Sequence, residues 1–127
     1  MARHEGGCMC GAVRYELDDA GSVANYCHCR SCRMATGGPV AAFVDLKPGA
    51  FSWTKGPARF FESSPGVRRG FCASCGTALT YEADDSPDEV HVMSPTLDDP
   101  APFAPTGFFY EEERLSWLHL RLSGETS

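Results

Sequence analysis

Cys8-Met9-Cys10-Gly11 and, further along, Cys72-Ala73-Ser74-Cys75-Gly76 are the stretches whose reading decides this fold. Two thiolates at i and i+3 in a tight turn chelate one metal ion, and two at i and i+2 on extended backbone share a face. The glycine after each pair allows a positive φ, which turns backbone N–H groups toward sulfur. Each pair is therefore half of a tetrahedral four-thiolate site. The pairs stand about sixty residues apart. A zinc ion held by Cys8, Cys10, Cys72 and Cys75 would clip the N-terminus to the middle of the chain. Structural zinc contributes about 10 kcal/mol or more of folding free energy in small domains, so this closed site reads as structural. A redox dithiol is the competing reading of Cys72 and Cys75. That motif opens a helix, whereas strand-like Thr77-Ala78-Leu79-Thr80-Tyr81 follows here.

The middle cluster, Cys27-His28-Cys29-Arg30-Ser31-Cys32, combines both spacings. It offers three thiolates, Cys27, Cys29 and Cys32, and no local fourth. His28 points to the opposite side of an extended backbone and is a poor ligand. The chain has seven cysteines, enough for one closed site and one left open, and an open position marks catalytic metal sites. The expected cofactor is Zn²⁺: one structural ion and one catalytic ion, the latter only partly occupied. Three thiolates make the ion electron-rich and poor at activating water. They suit an incoming thiolate, because metal coordination deprotonates a thiol outright. The expected reaction class is thiol addition to, or elimination from, a small electrophile, with Cys27, Cys29 and Cys32 as the catalytic set. Arg30 and Arg33 flank the cluster and are the candidates for binding a substrate carboxylate. Arg68 and Arg69 approach the third cluster, and Arg14 and Arg59 are further cations.

Composition bounds these readings. The 127 residues, 43% of them hydrophobic, suffice for one domain, residues 1–127, with a modest core. A net charge of −6 argues against nucleic acid and anionic membranes as partners. No run of about 18 apolar residues is present to span a bilayer, and Met1 to Gly7 lack the apolar stretch of a secretory signal. The expected setting is the cytoplasm, where thiols stay reduced and clustered cysteines bind metal rather than pair. Oligomeric state is not legible.

The pattern along the chain is mainly β. Val13 to Leu17 alternates apolar and polar residues as a half-buried strand does. Further strands are expected over Val23 to Cys27, Pro39 to Val44, Ala50 to Thr54, Arg59 to Glu62, Val67 to Phe71, Thr77 to Tyr81 and Glu89 to Met93. Turn residues lie between them at Asp18 to Ser22, Leu46 to Gly49, Lys55 to Pro57 and Ser63 to Gly66. Short helical turns are expected at the middle cluster, and no segment outside it supports a long helix. Ala83 to Gly107, with five prolines and five aspartates, reads as a surface loop interrupted by that last strand. Trp117, Leu118, Leu120 and Leu122 read as a final strand or short helix.

These residues resemble a family. Gly6-Gly7-Cys8-Met9-Cys10-Gly11-Ala12-Val13-Arg14-Tyr15, Cys27-His28-Cys29-Arg30-Ser31-Cys32-Arg33, Phe71-Cys72-Ala73-Ser74-Cys75-Gly76-Thr77 and Leu97-Asp98-Asp99-Pro100 stand in the order of the glutathione-dependent formaldehyde-activating enzymes, which include centromere protein V. The resemblance runs from about Gly6 to Leu118. It implies a zinc-clipped fold of the β-tent type and the same partition of cysteines. It also implies carbon–sulfur lyase activity on a thiol adduct of a small aldehyde, with glutathione and formaldehyde as the family's pair. The chain departs at Phe108, which stands where the family carries a histidine. The alternative function is a non-catalytic zinc-binding scaffold or partner-binding module.

Overall fold

The computed structural model describes residues 2–122. Two antiparallel sheets account for most of it. A three-stranded sheet has the order β1 (Arg3–Gly7), β2 (Arg14–Asp18), β5 (Phe51–Lys55). The larger sheet takes β3 (Val23–Cys27), β4 (Ala41–Asp45), β6 (Arg59–Ser64), β7 (Val67–Phe71), β8 (Ala78–Ala83), β9 (His91–Met93) and β10 (Phe108–Phe109), in the order β10-β3-β4-β9-β8-β7-β6. Only β10 joins in parallel, through two residues on β3. The mainly β expectation holds, and the one α-helix, α1 (Arg30–Thr36), sits at the middle cysteine cluster.

Alternation decides which side chains meet between the sheets. Tyr15 and Leu17 from β2 are sealed from solvent, as are Val44, Leu79 and Val92 from the large sheet, with Val13 and Leu46 beside them. Cys8 and Cys72 belong to this same core. Tyr15 is tied down at its polar end by the Thr96 hydroxyl at 2.7 Å, so a buried phenol keeps a partner. A smaller core gathers Cys27, Cys32, Ala41, Phe43 and Met93 on the other half of the large sheet.

Three segments differ from their sequence reading. β1 has no apolar alternation to announce it, because Arg3, His4 and Glu5 lead into two glycines. It forms because β2 pairs with it along its whole length and Asp98 N–H reaches back to the Glu5 carbonyl at 2.9 Å. The 83–107 stretch contains β9 as expected, but also two 3₁₀ turns, Ser94–Thr96 and Ala101–Phe103, and it sends Leu97 and Phe103 into the main core. The stretch around Trp117 to Leu122 is neither strand nor helix. A turn at Ser116 and Trp117 leaves the indole 67% exposed. The Arg114 guanidinium donates to the Leu118 carbonyl at 2.6 Å and substitutes for regular pairing. No helix among the described residues is long and apolar enough to cross a membrane.

Candidate metal centres

Two loops of one design make the first centre. Cys8 N–H donates to the Val13 carbonyl at 3.0 Å and Gly11 N–H to the Cys8 carbonyl at 3.2 Å. In the second loop Cys72 N–H donates to the Thr77 carbonyl at 3.0 Å and Gly76 N–H to the Cys72 carbonyl at 2.8 Å. Gly11 and Gly76 occupy the left-handed region, with φ of 80° and 82°, where a side chain would be strained. Within the same loops backbone N–H groups point at sulfur: Val13 N–H lies 3.3 Å from Cys8 Sγ, and Cys75 N–H lies 3.5 Å from Cys72 Sγ. Thr77 fastens one loop to the other, accepting from Met9 N–H at 3.1 Å and touching Cys75 Sγ at 3.1 Å.

The four sulfurs fit a metal. All lie within 4.8 Å of one another, with Cys8 to Cys10 at 3.6 Å and Cys10 to Cys72 at 3.7 Å. Thiolates placed tetrahedrally about 2.3 Å from one centre would stand about 3.8 Å apart. All seven cysteines are free of disulfides. The cluster's thiols split: the Ala12 N–H pulls Cys10 down, but the neighbouring sulfurs and burial outweigh it and leave Cys10 pushed up to about 11, while the Thr77 hydroxyl brings Cys75 down to about 5. Like charges this close do not ionise together unless a cation sits among them.

The second centre is local. Cys27 ends β3, Cys29 caps α1, and Cys32 lies in its first turns. Cys29 Sγ accepts the Cys32 N–H at 3.3 Å. Their sulfurs also lie within 4.8 Å of one another, and among the described residues no fourth side chain of ligating type joins them. Here too the charges split. The sulfur of Cys32 drives the Cys27 thiol upward, whereas Cys32 is brought down to about 6, first by the Cys27 hydrogen bond and then by Cys29 and Arg69.

Arg69, on β7, is the residue this site gains from the tertiary fold. Its side chain is buried, at 8% exposure. One Nη2 hydrogen bond reaches Ser31 Oγ at 2.9 Å, and the same nitrogen approaches Cys32 Sγ at 3.7 Å, while Nε donates to Ser63 Oγ at 3.3 Å. The guanidinium lies 5.0 Å from the Tyr81 ring centroid, a cation–π distance. Its Nη1 has no partner among the described residues. Two adjacent arginines face opposite ways on a strand, and Arg68 instead meets Asp84 at 2.9 Å.

The three sulfurs open onto a cleft of about 500 Å³, walled by Phe43, Val67, Tyr81, Phe109 and Tyr110 and edged by Asp45, His91 and Glu113. Arg30 and Arg33 do not line it. Arg30 is exposed, with its backbone N–H on Glu113 Oε1 at 3.0 Å, and the Arg33 Nε donates to the His28 carbonyl at 3.3 Å. Arg14 is committed to Asp98. His28 is fully buried on the other side of β3, its ring 5.4 Å from Phe108, and burial pushes its imidazole toward the neutral form. Phe108 stacks on Tyr26 at 5.7 Å. Phe108, to which the resemblance assigned a histidine position, does not line the cleft, and it is Phe109 that does. Asp45, Tyr81 and His91 carry no sequence motif; only strand alternation and register could have found them.

The class the structure defines is a mainly β fold that gathers one set of four and one set of three cysteine sulfurs, each of which could hold a metal ion. Residues 3–113 match the family model described as glutathione-dependent formaldehyde-activating enzyme, and the chain belongs to that family. It is 30% identical over 81 residues to a protein of Schizosaccharomyces pombe named as an uncharacterized lyase, covering 64% of this chain and 58% of that one. It is 31% identical over 111 residues to a protein of Halomonas elongata named "Putative glutathione-dependent formaldehyde-activating enzyme", covering 80% of this chain and 69% of the relative. The chain thus spans well under two thirds of the yeast relative's length. A crystal structure of a Rhodobacter sphaeroides protein shares the fold, with a TM-score of 0.65 at 22% identity over 82% of this chain and 98% of that one.

Proposed function

We propose that this protein is a zinc-dependent enzyme of carbon–sulfur lyase type, acting on the adduct of a glutathione-like thiol and a small aldehyde such as formaldehyde. The observation that carries the reading is the sulfur triad of Cys27, Cys29 and Cys32. It lacks a fourth ligand among the described residues and faces a cleft with a buried guanidinium beside it. The names of the two relatives support the same chemistry. Zinc held by these three thiolates would supply an open coordination position that favours the thiolate form of an incoming thiol.

The protein's own part follows from its side chains. Arg69 offsets negative charge at Cys32 and presents a cation to a substrate carboxylate or to oxygen that becomes anionic. Phe43, Tyr81 and Phe109 give the cleft an apolar wall. In the forward direction the substrate sulfur donates an electron pair to the aldehyde carbon and a C–S bond forms. The C=O π pair moves to oxygen, which takes a proton from solvent to give a hemithioacetal. The reverse cleaves the same C–S bond. The four sulfurs of Cys8, Cys10, Cys72 and Cys75 act in this reading only to hold the fold.

Cobalt substitution tests the assignment, since thiolate-to-cobalt charge-transfer bands count the sulfur ligands. Added glutathione should raise the band, and Cys29→Ser should abolish the rise. A band that ignores millimolar glutathione with both sites loaded would favour the non-catalytic scaffold instead.

A further inference from the structure

One row of side chains crosses the large sheet on its cleft side. Asp45 on β4 pairs in register with His91 on β9, His91 with Tyr81 on β8, and Tyr81 with Arg69 on β7. Paired positions share a face, and all four residues line the cleft. The row starts against Cys32, through Arg69, and ends at the Asp45 carboxylate, which meets His91 Nδ1 at 3.3 Å and Asn25 Nδ2 at 3.4 Å. Three strand spacings separate Arg69 from Asp45, about 14 Å. Along β4 the distance is similar: Cys27 pairs with Ala41, and Ala41 to Asp45 is about 13 Å of strand.

The two ends of this row differ in charge. Arg69 at the sulfur end carries the one guanidinium among the described residues lining the cleft. The far end holds Asp45, with Glu89 3.6 Å beyond His91 Nε2; Phe109 is common to this cleft and to the neighbouring hollow lined by Asp45, Glu89 and Lys47, and Lys47 does not line the cleft itself. Burial pushes the Asp45 carboxyl above the usual carboxylate range, and the neighbouring His91 ring and the Asn25 amide offset this only in part. A half-desolvated carboxylate beside a second acid gains from an incoming cation. Aromatic faces next to it attract the same kind of group.

We propose that the Asp45 end of the cleft is an ammonium subsite, so that the substrate is an amine-bearing thiol whose nitrogen Asp45 receives while its sulfur lies at Cys27, Cys29 and Cys32. This rests on the reading that a thiol docks at the sulfur triad. An extended linker of about seven atoms between sulfur and nitrogen reaches about 10 Å, and the lengths of the Asp45 side chain and of the sulfur contact cover the remainder. The γ-glutamyl amine of glutathione meets that requirement. A mercaptoacid without an amine does not.

The test compares glutathione with glutathione acetylated on that amine. Both are titrated into the zinc-loaded protein by calorimetry and into the cobalt-loaded protein by absorbance. A charge-assisted hydrogen bond is worth about tenfold or more in affinity, so acetylation should weaken binding to the unaltered protein by about that factor. Asp45→Asn should weaken glutathione equally and leave the acetylated thiol unchanged. Equal affinities in the unaltered protein, with a full cobalt response to both thiols, would refute the subsite and leave thiol docking standing. No response to either thiol would refute docking, and the subsite with it. The acetylation comparison needs no variant, so a poorly folding Asp45→Asn does not blunt it.

Discussion

Cys8 and Cys72 are buried in the main core with Tyr15, Leu79 and Val44, whereas Cys27 and Cys32 pack with Ala41, Phe43 and Met93 beside a cleft. The first set joins loops more than sixty residues apart and is cross-fastened by Thr77. The second lies within six consecutive residues and depends on β7 for Arg69. Where sulfurs come from distant segments, the metal's binding energy becomes folding energy. Where they come from one turn, little chain entropy is at stake, and the site is free to exchange a ligand.

The largest effect should come from breaking the four-sulfur set. Cys72→Ser removes a sulfur that is 1% exposed. It should cost one equivalent of metal and several kcal/mol of stability, enough to abolish a cooperative thermal transition. An unshifted melting temperature with full metal content would erase the distinction between the two sites. Cys29→Ser is the matching change in the triad. Metal content should again fall by about one equivalent, yet circular dichroism should keep its β signature and the melting temperature should move by only a few degrees. If both variants unfold alike, the contrast fails.

Arg69→Met sharpens the contrast from the cleft side. Zinc should stay bound while thiol affinity drops about tenfold, the scale of a lost charged contact. Arg69→Lys should not restore it, because an ammonium cannot reach Ser31, Ser63 and Cys32 together. In the metal-free chain at pH 7, alkylation of Cys32 should slow, since one influence holding its thiol near 6 is gone. Unchanged affinity and alkylation would mean that Arg69 only fills space.

The smallest effect concerns the frame of the four-sulfur site. Burial pushes Tyr15 up to about 12, against about 10 in an unfolded chain. The folded state then holds the phenolic proton more tightly. Its contribution is full below about pH 10 and is lost as pH rises toward 12. Denaturant titrations across that window should show stability falling, and Tyr15→Phe should flatten the slope. A slope that survives the substitution would place the alkaline sensitivity elsewhere.

The cysteine spacings brought out the four-plus-three division, apolar–polar alternation the β content, and the middle cluster its short helical turns, because ligand spacing, strand alternation and local turn chemistry operate over a few residues. What crosses the chain was not legible. β1 forms because β2 and Asp98 supply its partners, not because its own residues favour a strand. The leucines near the C-terminus suggested regular structure, but their segment is held by Arg114 instead. Arg30 and Arg33 looked like substrate cations because they neighbour the cysteines in sequence. In space it is Arg69 that lies beside the triad, because the register of β7 on β8 carries it over Tyr81 and against Cys32. Register is a property of paired strands, and so the row from Arg69 to Asp45 that would distinguish one end of a substrate from the other exists only once the sheet has formed.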